Sequence, residues 1–344
     1  MALTDIRDIT EEALADLISS WGEKSFRTKQ IMEWLWMKQA RSFDEMSNLS
    51  KDLRDKLKEN FTFHSMRADL SQKSSDGTIK IGFRLDDDNF IEGVLIPTED
   101  RMTACVSSQV GCSLSCTFCA TGYLKRQRNL KHYEIFDQVA LIDELAQKEY
   151  GKGLTNIVFM GMGEPLLNYK EVMTAINYIT SPKGMGMSPQ RLTLSTAGIT
   201  KMIRKMADDG ARFNLAISLH AATDEKRSAI MPINETNNLA ELADSLNYFY
   251  DKTGSRITLE YCVIQDVNDS LEDGDELAAF ASKVVCKVNL IEYNPIDQAE
   301  YQKSSGNRTN RFVKHLEERR VIVNLRRSRG KDIDAACGQL ANKN

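Results

Sequence analysis

At 344 residues the chain is long enough for one large domain with an appendage, and it can bury a sizeable core. With 42% hydrophobic and 27% charged residues it reads as an ordinary globular protein, and no apolar run approaches the roughly 18 residues of a membrane span. The formal net charge of −4 does not advertise a nucleic-acid binder over the chain as a whole. The N-terminus, "MALTDIRDITEEALADL", has no apolar signal core, so the expected compartment is the cytoplasm, where thiols stay reduced. Seven cysteines in such a chain do not form a secreted disulfide framework; a cluster of them points to metal binding or catalysis.

Residues 1 to about 65 read as helical. In "TKQIMEWLWMKQ", Ile31, Trp34, Leu35 and Lys38 fall at i, i+3, i+4 and i+7, the first three lining one apolar face. That places Trp34 in the core, with Trp36 on the opposite face and available to stack on RNA. "SKDLRDKLKENF" repeats the pattern, with Ser50 as the N-cap. "SSDGT" is a turn, and "TIKIGFRL", "NFIEGVLIP" and "MTACVSS" read as strands. Beyond them the helix "HYEIFDQVALIDELAQKEY" opens an alternation with short apolar strands: "TNIVFM", "RLTLST", "FNLAISL", "RITLEYCVI", "KVNLIEY" and "VIVNLR". Repeated βα units around a parallel sheet are expected, in an α/β fold best described as a partial (β/α)6 barrel with a small helical N-terminal domain. No G-x-G-x-x-G opens a helix near the start, so an open dinucleotide-binding sheet is disfavoured. The expected organisation is a helical accessory domain at 1–70, a β extension at 71–100, the barrel at 101–326 and a C-terminal tail at 327–344.

The stretch "GCSLSCTFCATG" holds Cys112, Cys116 and Cys119 in a C-x3-C-x2-C spacing. Structural zinc wants four ligands, usually in two local pairs, and no second pair is present. The spacing also differs from the two-cluster ferredoxin run. Three thiolates on a [4Fe–4S] cluster would leave one iron open for a chelating substrate or cofactor, which gives the missing fourth ligand a purpose.

That triplet, with Phe118 before the last cysteine, resembles the radical S-adenosylmethionine (SAM) enzymes. Together with "EGVLIP", "FMGMGEPLLNY", "SLHAATDEKRSAIMPIN" and "DIDAACGQL" it resembles the RlmN family of dual-specificity rRNA and tRNA adenine C2-methyltransferases, from about Phe90 to Leu340. The resemblance implies a [4Fe–4S] cluster on the triplet and two SAM per turnover, one of them the source of a 5′-deoxyadenosyl radical. It makes Cys337 the methyl carrier, Cys105 the thiol that resolves the protein–RNA adduct and ends in a disulfide with Cys337, and Glu92 the general base. Gly163, Glu164, Ser195, Ser218, Leu219, His220 and Asn294 are implied to bind SAM. The implied substrates are adenosine 2503 of 23S rRNA and adenosine 37 of tRNA. The implied partners are a low-potential flavodoxin- or ferredoxin-type reductant and no membrane, with the enzyme a monomer.

The residues themselves give partial support. Glu164, Ser195, Ser218, His220 and Asn294 all follow or end strands, and in a βα barrel those ends form the active site. Singly, each Ser or Asn is as readily a turn or cap residue, and a lone histidine a core residue. A strand glutamate such as Glu92 ordinarily faces solvent. Cys105, Cys262 and Cys286 look like small core residues, and only the motif lifts Cys105. The basic stretches Lys125–Lys131 and Arg326–Lys331 are expected to meet RNA phosphates. Two rivals remain. One is the related adenine C8-methylating (Cfr-like) branch, from which Pro165 separates this chain because that branch has alanine there. The other is a cluster-bearing RNA-binding or electron-transfer protein without methyl chemistry.

Overall fold

The computed structural model describes residues 3–342; positions 1–2 and 343–344, at the outer ends of the expected accessory domain and tail, lie outside the described residues. In chain order the elements are β1 (Thr4–Asp5), α1 (Glu11–Ser20), α2 (Phe26–Trp36), α3 (Lys51–Asn60), β2 (Phe61–Thr62), β3 (Arg67–Lys73), β4 (Ile79–Arg84), β5 (Phe90–Pro97), β6 (Met102–Cys105), β7 (Gln109–Val110) and β8 (Arg128–Asn129). There follow α4 (His132–Tyr150), β9 (Asn156–Phe159), α5 (Tyr169–Thr180), β10 (Leu192–Thr196), α6 (Thr200–Asp208), β11 (Asn214–Ser218), α7 (Asp224–Ile230) and α8 (Leu239–Thr253). The last are β12 (Ile257–Val263), α9 (Leu271–Ala281), β13 (Cys286–Glu292), α10 (Gly306–Glu318) and β14 (Val323–Arg326).

Ten strands form one sheet in the order β14-β13-β12-β11-β10-β9-β6-β5-β4-β3. From β6 to β14 every pairing is parallel. Helices follow β6, β9, β10, β11, β12 and β13, so six βα units precede β14, as expected from the alternation. Strands β3, β4 and β5 continue the same sheet in antiparallel pairings, while β1 pairs with β2 and β7 with β8 in separate two-stranded sheets. Strand β3 had no signal in the sequence, because all seven of its residues are exposed and carry no apolar alternation.

The N-terminal helices pack outside the sheet, and their apolar residues join a single buried cluster that runs from Ile6 through the sheet to Leu340. Ser50 caps α3 as expected, accepting from the Leu53 N–H at 3.2 Å. Helix α2 departs from the reading above. Its buried stripe is Thr28, Ile31, Met32, Leu35 and Trp36. Two large residues one turn apart at 32 and 36 shift the buried face past Trp34. Trp36 is 1% exposed and stacks on Tyr178 with ring centroids 3.6 Å apart, so it is core and not an RNA platform. Trp34 sits at the rim, its Nε1 donating to Asn48 Oδ1 at 2.6 Å and Lys38 lying over its ring.

The module is also tied to the barrel by a buried charge pair. Arg7 donates from Nη1 to both oxygens of Asp137 on α4 at 2.8 Å, and from Nε and Nη2 to Asp5. Removing Asp137 leaves the buried Nη1 without an acceptor while Asp5 still pairs with the guanidinium, so Asp137→Ala is expected to lower stability by about 1–3 kcal/mol. Chemical denaturation of the two proteins measures this.

Candidate active site

One cavity, with an empty volume of about 1010 Å³, opens at the C-terminal ends of the parallel strands. Its first wall is the cysteine loop. Cys112, Cys116 and Cys119 all face it, with Leu114 and Phe118. The loop closes tightly: a Cβ on Gly122 would lie 2.6 Å from the Cys116 carbonyl oxygen, so only glycine fits there. Thr117 N–H is tied to the Ile230 carbonyl at the end of α7 at 3.0 Å. Burial pushes all three thiols up, Cys112 to about 11. Backbone N–H groups of residues 113, 114, 121 and 122 face the Cys112 and Cys119 sulfurs. Three convergent thiols that would stay protonated by themselves, met by backbone donors suited to thiolates, fit a cationic iron cluster that would deprotonate them.

The second wall is formed by the ends of β9, β10 and β11. Gly163 faces the cavity at φ +93°, and a Cβ there would sit 2.5 Å from Gln109 Cβ. Glu164 is buried, and its carboxylate accepts from Leu166 N–H (3.0 Å), Thr196 Oγ1 (2.6 Å) and Ala197 N–H (2.8 Å). A carboxylate offers about four acceptor positions, so one remains toward the cavity. Burial raises its pKa, and these three donors oppose the rise. Ser195, Ser218 and His220 line the same wall. His220 sits at φ +57°, and its Nδ1 accepts from the Cys262 N–H at 2.9 Å. That bond fixes the neutral tautomer with its proton on Nε2. Burial, reinforced by Arg227, pulls the imidazole pKa down to about 3.

Behind this wall lies Arg227, fully buried and without a carboxylate partner in its hydrogen bonds. It donates to the carbonyls of Ala197 (2.6 Å), Ser218 (3.2 Å) and Leu219 (3.2 Å) and to Asn234 Oδ1 (2.7 Å). One side chain thus joins the ends of β10 and β11. It was quoted only as part of a motif above; a lone arginine in a helix gives no sign that it points inward.

The third wall carries Glu260, Cys262, Ile291, Tyr293 and Cys337. Glu260 and Cys262 alternate on β12, and the register puts Arg326 on the row of Cys262 and Ile291. Asn289 Nδ2 donates to Glu260 at 2.9 Å, and Arg326 pairs with Glu260 at 3.5 Å. Glu260 was missed, although a carboxylate inside the apolar run "ITLEYCV" has to face an interior. Cys262, taken above as a plain core residue, reaches the cavity surface.

The expected residues therefore divide. The triplet, Gly163, Glu164, Ser195, Ser218, His220 and Cys337 share the cavity. Cys105 is buried at the end of β6, outside the lining; burial, and after it the nearby Cys337 thiol, pushes Cys105 up to about 12. Leu219 turns its side chain into the core and uses its N–H on the Glu260 carbonyl. Asn294 is engaged elsewhere: its Nδ2 donates to Ser328 Oγ (3.0 Å) and to the Cys337 carbonyl (3.3 Å). Glu92 is buried beside the tail that follows β14.

The basic stretches are largely consumed within the chain. Arg128 pairs with Asp87 and Glu134, Lys131 with Asp8, Arg326 with Glu260, Arg329 with Asp76 and Lys331 with Glu292. Lys125, Arg126 and Arg327 have no acidic partner among the described residues. Arg326 pairs with Glu260 at 3.5 Å while its side chain stays 42% exposed.

His220 gives a pH prediction. A histidine held neutral in the fold but free to charge when unfolded contributes stability that is full above about 6.5 and is lost as pH falls toward about 3. His220→Gln is expected to flatten the stability loss in that window, read by urea melts at successive pH values.

Comparison with known proteins agrees with this geometry. Residues 4–63 match the ribosomal RNA large subunit methyltransferase N-terminal domain, and residues 106–280 match the radical SAM superfamily. The chain is 56% identical over 338 residues to a probable dual-specificity RNA methyltransferase RlmN of Cytophaga hutchinsonii, covering 98% of this chain and 93% of that one. A namesake from Christiangramia forsetii is also 56% identical, covering 98% and 96%. The crystal structure of a radical SAM methyltransferase from Sphaerobacter thermophilus superposes with a TM-score of 0.93 at 38% identity, over 99% of this chain and all of that one. The chain belongs to the RlmN family of radical SAM RNA methyltransferases.

Proposed function

We propose that this protein methylates C2 of adenine, at adenosine 2503 of 23S rRNA and adenosine 37 of tRNA, through an S-methyl group carried on Cys337 and with two SAM per turnover. The observation that carries the reading is the position of Cys337. It shares one cavity with the cysteine triplet and has a second thiol, Cys105, close behind it. Cys112, Cys116 and Cys119 would hold a [4Fe–4S] cluster, which, reduced by a flavodoxin- or ferredoxin-type donor, would supply the electron for reductive cleavage of SAM to the 5′-deoxyadenosyl radical.

The chain's own residues do the rest. C2 of adenine is electron-poor and does not attack a sulfonium methyl group. A thiolate does, because sulfur is an intrinsically good nucleophile. Cys337 therefore takes the methyl group and presents it to the base. A hydrogen atom abstracted from that S-methyl group would leave a methylene radical that bonds to C2. Once one electron and the C2 proton have left the adduct, Cys105 attacks the Cys337 sulfur and the S–CH2 bond breaks. The released carbon takes a proton to become the methyl group, and the disulfide that remains must be reduced before the next cycle. Glu92 accepts the C2 proton. The free acceptor position of Glu164 takes the amine of SAM, while Gly163, Ser195, Ser218 and the Nε2–H of His220 line its binding wall. Leu219 contributes by shaping that wall, and Asn294 by holding the Cys337 segment. Lys125, Arg126 and Arg327 meet RNA phosphates. The enzyme works as a cytoplasmic monomer, and no helix among the described residues is long and apolar enough to cross a membrane.

Mass spectrometry of nucleosides from RNA treated with the anaerobically reconstituted enzyme, SAM and reductant is expected to show 2-methyladenosine. A product of 8-methyladenosine overturns the regiochemistry, and an unmethylated RNA overturns the reading. Cys337→Ala is expected to abolish product while the cluster absorbance stays intact. Lys125→Ala and Arg327→Ala should each reduce the slope of log affinity against log salt by about one.

A further inference from the structure

The segment after β14 is a strap across the cavity mouth. Its near end is fastened to the turn between β3 and β4: Gly330 N–H donates to Asp76 Oδ2 at 2.9 Å, and Asp332 accepts from Ser74 Oγ at 2.5 Å. Its middle rests on the cysteine loop, where Ala120 N–H meets the Gly338 carbonyl at 2.7 Å and Thr121 Oγ1 meets that of Leu340 at 2.6 Å. Its far end is fastened to Glu92. Glu92 Oε2 accepts from the N–H of Ala341 at 2.9 Å and of Asn342 at 3.0 Å, while Oε1 lies 3.6 Å from Lys80 Nζ. Glu92 is 2% and Lys80 6% exposed. Cys337 is the part of the strap that enters the cavity.

The two ends are not equivalent. The near end is held in any case by its continuity with β14, a strand of the sheet. The far end is held only by noncovalent contacts, and Glu92 is the charged group among those made by its backbone N–H groups. Hydrogen bonds to an ionised acceptor are about twice as strong as neutral ones. A buried carboxylate in a strand is also costly unless it is paired and hydrogen-bonded. Here Lys80 and the two strap donors meet that requirement.

We propose that Glu92 is the positioning residue that latches the carrier strap, and that this latch must open before the same carboxylate can act on the substrate. Both acceptor positions of Oε2 are occupied by the strap, and Oε1 faces an ammonium. Oε1 makes no hydrogen bond to Lys80 at 3.6 Å, but the carboxylate is 2% exposed beneath the strap, so a substrate reaches it only when the strap is open. The closed strap is the state in which Cys337 is loaded from SAM, and the open strap the state in which Glu92 is free. The second half of this statement rests on the function proposed above; the latch does not.

The test separates the two. Amide hydrogen exchange of residues 338–342 is measured on the reconstituted holoenzyme without RNA, alongside the rate at which Cys337 gains a methyl group from SAM, read by intact mass. Glu92→Gln keeps an acceptor oxygen without its charge and should lose only part of the strap protection, less than Glu92→Ala, and keep most of the loading, yet form no methyladenosine. Glu92→Ala should raise exchange by about tenfold or more and slow loading in proportion. A chain ending at Leu340 removes the two donors, together with the Asn342 Nδ2 bond to the Phe90 carbonyl (2.8 Å), and leaves Glu92 untouched; its exchange, compared over residues 338–340, should rise and its loading slow at least as much as in Glu92→Ala. Wild-type exchange in both Glu92→Ala and the shortened chain overturns the latch. Fast exchange with wild-type loading overturns the link between latch and carrier. Loss of methyladenosine alone in all three would leave Glu92 as a base only and overturn the proposal.

Discussion

Much of the site hangs on the guanidinium of Arg227. A fully buried arginine whose hydrogen bonds go to carbonyls and an amide, with no acid among them, is an expensive arrangement, and burial pulls its pKa down to about 10. The return is geometric. Parallel strands end in unpaired carbonyls, and here those of Ala197, Ser218 and Leu219 converge on one planar fork. This sets the spacing of the β10 and β11 ends, from which Ser195, Ser218 and His220 project. The same short helix that carries Arg227 receives the cysteine loop through Thr117. The cluster wall and the SAM wall are thus referenced to one point.

Around that point the cavity is assembled from parts of very different sequence separation. The triplet is local, the carboxylate of Glu164 comes from the next βα unit, and the carrier thiol arrives from beyond the last strand. Long-range construction of this kind places chemically incompatible groups side by side without a covalent link between them. His220 and Glu260 are held apart from water by the sheet, while the cysteine triplet and Cys337 stay open to the cavity.

Legibility in the sequence followed physical locality. The triplet could be read because its ligands lie within one loop, and the barrel because apolar strands and helices alternate at short range. Helix α4 was found with its true ends because His132–Tyr150 is bounded by a basic turn and Gly151. What escaped was whatever depends on side-chain direction. Glu92 looked like a solvent-facing strand residue until the strap covered it. Trp34 and Trp36 exchanged roles because a helix face is set by what packs on it, and Tyr178 lies more than a hundred residues away. Leu219 and Asn294 stand at the right strand ends, yet one uses its backbone and the other an amide turned to the strap. Arg227 was invisible as a charge inside a short helix, where neither motif nor period says which way it points, whereas Glu260 carried a signal in the apolar run around it.

The strap also orders events in time. A ribosome delivers the chain from the N-terminus, so the sheet and the cysteine loop emerge before residues 330–342. Until those residues arrive, the barrel mouth has no cover, and Glu92 and Lys80 face only each other. The cover can therefore close over the cysteine loop only after every strand of the sheet beneath it has been made.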